Sequence, residues 1–184
     1  MRKKLLFVGI VIIILIMCII ILKMYLPQWK ELPCGLWINK NGDIGLKTTA
    51  DMGWKEVDFY ITKTSFDECD VPLNMLVDTA TFHYMGGSFY KDKNHIYNLM
   101  STSDGGIFYP FDVDYLTFEI LNGYYARDKN HVYKSNNACI VENADCATFQ
   151  VIKDCVAQDK NGFFCFGDRI QESDVKKYLE ISEK

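Results

Sequence analysis

Three pairs of stretches decide the fold: Asp78-Thr-Ala-Thr-Phe82 with Asp92-Lys-Asn-His-Ile-Tyr97, Asp114-Tyr-Leu-Thr-Phe118 with Asp128-Lys-Asn-His-Val-Tyr133, and Asp145-Cys-Ala-Thr-Phe149 with Asp159-Lys-Asn-Gly-Phe-Phe164. In every pair the two leading aspartates stand fourteen residues apart. An offset kept through three copies marks a repeated structural unit, and self-similarity of this kind governs any further reading of the chain.

Each Asp-Lys-Asn reads as the corner of a β-hairpin, so Asp92, Lys93, Asn94, Asp128, Lys129, Asn130, Asp159, Lys160 and Asn161 are turn residues. Aromatic and β-branched residues flank the corner, its Asp can accept hydrogen bonds from the amides that follow, and Asn suits its centre. The fourth position holds His95, His131 or Gly162. These tolerate the left-handed backbone that a type I turn with a bulge requires. In Asp-x-x-Thr-Phe, the Asp fits the N-cap of a single helical turn or an Asx turn. The Phe then enters a short strand, as in Phe118–Leu121 or Phe149–Ile152.

Each unit is therefore predicted to be turn, strand and hairpin, with three short strands. One such unit cannot bury its aromatic face alone, so neighbours must stack. Residues 172–181 repeat the register of 143–152, either as a truncated fourth unit covering the open end or as a short terminal helix. Upstream, Gly35-Leu-Trp-Ile-Asn-Lys-Asn-Gly42 reads as a hairpin built on Asn-Gly. Val57–Ile61 reads as one more strand within the hard-to-read stretch 43–77, and Ser101–Gly106 as a loop inserted in the first copy.

The N-terminus has a different character. Leu5 to Leu22 carries no charge and is rich in Ile, Leu and Val. Extended to Leu26 it would form roughly 30 Å of helix, about the hydrocarbon thickness of a bilayer. Lys23 can snorkel, and Tyr25 and Trp29 suit the membrane interface. Met17-Cys18-Ile19-Ile20 offers no small-residue cleavage site, and Met17 is bulky where a lipoprotein needs a small residue. An uncleaved signal anchor is the expectation. Arg2-Lys3-Lys4 points to a cytoplasmic N-terminus and an exported C-terminal domain.

The expected fold class is thus mainly β: an antiparallel β-hairpin repeat array preceded by one N-terminal transmembrane helix. Residues 1–29 form the anchor and juxtamembrane segment, 30–77 an N-terminal β element, and 78–184 three repeats with a truncated C-terminal unit. Aromatic residues at 14% of the chain argue against disorder. Removing residues 1–29 leaves 16 basic against 24 acidic residues, a net charge of −8. Such a domain lacks the cationic surface that binding to nucleic acid or to anionic lipid demands.

Six cysteines follow the anchor, and an even count in an exported domain permits up to three disulfides. Reduced, buried cysteines are the alternative. Cys155 and Cys165 flank the third corner, but closing that turn on Lys160-Asn161-Gly162 would set Cys155 opposite Gly167, which speaks against their pairing.

Candidate chemistry is sparse. A calcium loop counted from Asp128 or Asp159 puts Val132 or Phe163 at a ligand position and no Glu at the twelfth. His83, His95 and His131 fall in or beside turns, and the Asp and His of the corner recur with the repeat, whereas a catalytic residue is needed once. Phe89, Tyr90, Tyr97, Tyr124, Tyr125, Tyr133, Phe163 and Phe164 could make a stacking platform for sugars or peptides, although most should be core. No catalytic residue, metal or cofactor is expected, and no binding residue is assigned.

At DKNHIY, DKNHVY and DKNGFF the chain resembles the DKNYY family of bacterial proteins, over about residues 78–181. It departs from that pattern in having His or Gly where the family name has Tyr, and in the cysteines of its third copy. The resemblance implies tandem copies of an Asp-and-Phe turn followed by the corner hairpin, often behind an export signal, and supplies no catalytic residues. Gly35–Gly42 is more loosely similar to WG-type β-repeats. Together these readings lead to a non-enzymatic binding or scaffolding module, single-pass in the bacterial inner (cytoplasmic) membrane. Its C-terminal domain is periplasmic or extracellular, and its expected partner is another envelope protein. The alternatives are an envelope hydrolase with its site in 43–77 or 101–106, or a structural accessory subunit.

Overall fold

A computed structural model describes residues 11–19, 21, 28–64 and 70–181. Four antiparallel sheets follow one another along the chain, each a meander of consecutive strands. The first joins β1 (Trp29–Glu31), β2 (Trp37–Asn39), β3 (Ile44–Asp51) and β4 (Glu56–Ile61). The second joins β5 (His83–Gly86), β6 (Phe89–Lys91), β7 (Ile96–Met100) and β8 (Ile107–Phe111). The third joins β9 (Glu119–Ile120), β10 (Tyr125–Arg127) and β11 (Val132–Lys134). The fourth joins β12 (Gln150–Lys153), β13 (Val156–Asp159), β14 (Gly162–Cys165) and β15 (Asp168–Ile170).

The hairpin predicted on Asn41-Gly42 is present, its turn running from Asn39 to Asp43: Asn39 Oδ1 accepts the amides of Asn41 at 2.8 Å and Asp43 at 3.0 Å. Three strands per unit was too few. The first and third copies carry a fourth, and the second copy has the single bridge Tyr133–Ile140 in its place. Pro110 obscured β8, since proline is excluded from central strands, but β8 lies at a sheet edge and tolerates it.

Apolar side chains fill the gap between each sheet and the next, so the core is a series of layers. Leu36, Ile44 and Ile61 meet Phe82, Tyr97 and Phe108 between the first two sheets. Phe89 and Ile96 meet Phe118, Ala126 and Tyr133 in the next gap. Tyr125 and Val132 meet Phe149, Ala157 and Phe164 in the third. The C-terminal segment is the helix Glu172–Ile181, settling the two readings of it. Val175, Tyr178 and Leu179 share one face of that helix and pack on Cys155, Val156 and Cys165, covering the end of the stack.

Residues 11–19 and 21 are helical. Among the described residues no helix is long and apolar enough to cross a membrane. The expected span 5–22 falls in part on residues outside the described ones.

Cys155 and Cys165 form a disulfide, contrary to the register argument, with Cα atoms 4.8 Å apart. The corner closes on Lys160 and Asn161 alone, which pairs Val156 with Cys165. Asp154, at φ 47°, then turns the chain so that Cys155 reaches back over its partner. Cys34, Cys139 and Cys146 are free thiols, and Cys69 lies outside the described residues. The bridge closes a loop of sequence separation 10. Comparing chemical denaturation of the oxidised and fully reduced chain should therefore show a loss of about 2–3 kcal/mol on reduction; coincident curves would contradict the bridge.

Candidate functional site

The two ends of the stacked sheets are built differently, and the Asp-Lys-Asn end is the more regular. Asp92 Oδ1 accepts the amides of Asn94 and His95, both at 2.8 Å. Its Oδ2 accepts the Asp78 amide at 2.8 Å and the Tyr97 hydroxyl at 2.8 Å. The second copy repeats this, with Asp128 taking Asn130, His131, Asp114 and the Tyr133 hydroxyl at 2.7–2.9 Å. In the third, Asp159 takes the amides of Asn161 and Asp145 at 2.8 Å. Phe164 stands there in place of Tyr and has no hydroxyl; instead the Arg169 guanidinium lies 4.6 Å from the Phe164 ring centroid and 3.6 Å from Asp159 Oδ2.

The fourteen-residue offset is thus a bond: the corner carboxylate holds the first amide of its own unit. The partner Asp caps a helical turn, with Thr81 donating to Asp78 Oδ1 at 2.8 Å and the Lys93 amide donating back to Thr81 Oγ1 at 3.0 Å. Thr117 and Thr148 do the same. His95 and His131 do not adopt the left-handed backbone predicted for a bulged turn; of the fourth-position residues only Gly162 has positive φ. The carboxylate draws the amide of each His inward, which closes the turn without a bulge.

Burial disfavours ionisation of Asp92 and Asp128, but the convergent hydrogen-bond donors outweigh it and hold both below the ordinary carboxylate range. Burial, then hydrogen bonding to these carboxylates, pushes the Tyr97 and Tyr133 phenols well above their ordinary value. Asp78, Asp114 and Asp145 are lowered first by hydrogen bonds from Lys93, Lys129 and Lys160, which form solvent-facing pairs at 2.5–2.6 Å. Neighbouring units are joined at this end too. The Tyr115 hydroxyl donates to the Asp92 carbonyl at 2.8 Å, and the Cys146 thiol to the Asp128 carbonyl at 2.9 Å.

The opposite end holds a cleft of about 560 Å³ lined by Gly87, Ser88, Ser101, Gly123, Tyr124, Lys134, Ser135, Asn136, Asn137 and Phe166. Its floor is a buried polar knot. The Ser88 amide donates to Ser135 Oγ at 2.9 Å, and Ser88 Oγ donates to the Ser135 carbonyl. Fully buried Asn98 donates to Ser88 Oγ at 2.7 Å and to the Ser135 carbonyl at 3.1 Å. The Tyr125 hydroxyl fixes the far wall, donating to the Cys155 carbonyl at 2.7 Å and accepting the Gly167 amide at 3.0 Å. Burial lifts that phenol to about 12. Tyr124 and Phe166 stand on the rim, 41% and 57% exposed, with ring centroids 5.5 Å apart and planes at 71°.

Of the proposed aromatic platform, Phe89, Tyr97, Tyr125, Tyr133 and Phe164 are core, and Tyr90 and Phe163 are half-buried. Only Tyr124 reaches the cleft, and Phe166 was missed because it lies beyond the repeated motif. The three histidines are not brought together: His95 and His131 each lie beside the tyrosine of their own copy, and His83 Nδ1 is 2.9 Å from the Thr81 carbonyl. Among the described residues no cluster of His, Cys, Asp or Glu could hold a metal ion. The two regions named for a hydrolase meet, with the Asp51 amide donating to the Ser103 carbonyl at 2.8 Å, and of them only Ser101 lines the cleft. Comparison with family models, with curated proteins and with solved structures finds no match.

A group whose folded pKa is depressed contributes stability above its unfolded value and loses it as pH falls through the folded value. With Asp92 and Asp128 both depressed, unfolding free energy should be level from about pH 5 to about pH 9 and fall below about pH 4. Asp92→Asn would turn an N–H toward the Asp78 amide, so it should cost about 1–3 kcal/mol at neutral pH and make the acid limb shallower. An acid limb unchanged by this substitution would remove Asp92 from the account.

Proposed function

We propose that this chain is a membrane-anchored repeat protein of the bacterial envelope that works by binding rather than by catalysis, with the cleft between its turn ends as the binding site. One contrast carries the reading. At the corner end the aspartates, threonines and lysines of each copy are committed to holding the fold, whereas the cleft presents Tyr124, Phe166, Ser101, Asn136 and Asn137 above a hydrogen-bonded floor. The resemblance to the DKNYY family, the apolar N-terminal stretch and the acidic C-terminal portion agree with a tethered, exported domain. The anchor would hold that domain in the periplasm or outside the cell, where the first expected partner is another envelope component.

The test is site-specific photocrosslinking of the full-length chain in intact cells. A benzoylphenylalanine at position 124 or 136 should give a discrete adduct, while the same group at Leu116, 91% exposed near a corner, should not. Equal labelling from both ends, or none from either, would count against the cleft. Orientation is checked separately: a membrane-impermeant maleimide should label exposed Cys139 in intact cells, and labelling only after lysis would reverse the proposed topology.

A further inference from the structure

The cleft also indicates the chemistry of its occupant, provided it is a binding site as proposed above. Apart from Lys134, the last residue of β11, the lining comes from turns and loops: 87–88 between β5 and β6, 123–124 between β9 and β10, 135–137 after β11, and 166 between β14 and β15, with Ser101 just after β7. Lys134 ends β11, the edge strand of its sheet, but the outer side of that strand is already paired with residues 139–141, so an extended peptide finds no free ladder there. The lining holds serines, asparagines and bare glycine backbone, which offer donors and acceptors without charge.

Phe166 is the informative residue. It has φ 51° and Gly167 has φ 83°, and Cys165 pairs with Asp168 across them, which makes a two-residue turn of the mirror-image type. That turn favours Asn-Gly, and a bulky aromatic in the left-handed region is an outlier. Burial does not require it either, since more than half of the side chain is exposed. A strained residue at a functional surface is where such a cost persists. Its contact is with Tyr124, and the two rings, set at a steep angle, both line the cleft. A π face is electronegative and attracts polarised C–H groups, such as those on one side of a pyranose ring.

Lys134 completes the pattern. Its stem crosses Gly167, where any Cβ would lie 2.3 Å from Lys134 Cδ. No ion pair to its ammonium is present among the described residues, and the cleft lining contains no carboxylate. In a domain with 24 acidic residues this is a local positive point that a ligand anion would seek. We infer that the cleft binds an acidic glycan, stacking a pyranose ring on Phe166 and Tyr124, hydrogen-bonding its hydroxyls to Asn136, Asn137 and Ser101, and placing a carboxylate at Lys134.

Titration of the full-length chain in nanodiscs with tetragalacturonate and, separately, with neutral chitotetraose tests this. The acidic tetramer should bind more tightly than the neutral one, with an affinity that falls as salt rises. Lys134→Gln should weaken the acidic tetramer about tenfold and leave the neutral one unchanged. Phe166→Asn is the decisive variant: it should raise the melting temperature while abolishing sugar binding. Binding of neither tetramer at millimolar concentration overturns the inference, as does a Phe166→Asn chain that binds normally or melts earlier. Failure to bind sugar with cleft-specific photocrosslinking retained would sink the glycan alone; loss of both would sink the binding-module reading with it.

Discussion

The carboxylate-to-amide bond from Asp92 to Asp78, repeated from Asp128 to Asp114 and Asp159 to Asp145, is the constraint on which the rest of the structure depends. It closes each unit on itself before any neighbour is involved. One oxygen of the corner carboxylate shapes the hairpin turn, and the other grips the start of the helical turn fourteen residues earlier. A buried carboxylate is costly unless its lone pairs are satisfied. Here four donors converge on Asp92 and on Asp128, so the charge becomes an organising centre.

The third copy shows how far this centre can change. Phe164 deletes the hydroxyl donor, and Arg169, from the next strand, lies over the ring and approaches Asp159. A neutral donor from within the hairpin has been exchanged for a cation from outside it. Closed units of this kind still expose an aromatic face, and layering disposes of it: each sheet shares one core with the sheet before and another with the sheet after. The terminal helix supplies the last partner. Stability in such an arrangement is a sum of unit terms and nearest-neighbour terms.

What could be read from the sequence was short in range. The Asp-Lys-Asn hairpins and the Asp-capped turn were legible because a side chain bonding its own nearby backbone leaves a local signature. The bond between the two motifs was visible only as a spacing. The fourth strands were hidden by Pro110 in β8 and by the polar, three-residue β15. The disulfide was misjudged because a left-handed Asp154 shifts Cys155, and nothing local announces that. The cleft was the least legible feature, being assembled from turns spread between residues 87 and 166. Phe166 stood just outside the repeated phrase, where a search by motif does not look.

The join between copies has a consequence for how such a molecule can change in size. Tyr115 and Cys146 sit at the same place, one residue after the capping aspartate, and both donate to the main-chain oxygen of the preceding corner. A phenol and a thiol have little in common beyond that hydrogen, so the seam asks almost nothing of the incoming side chain. This contact would survive the gain or loss of a copy, whereas the opposite end is joined differently at each junction, by Ser88 and Ser135 in one and by the Tyr125 hydroxyl and the Cys155 carbonyl in the other.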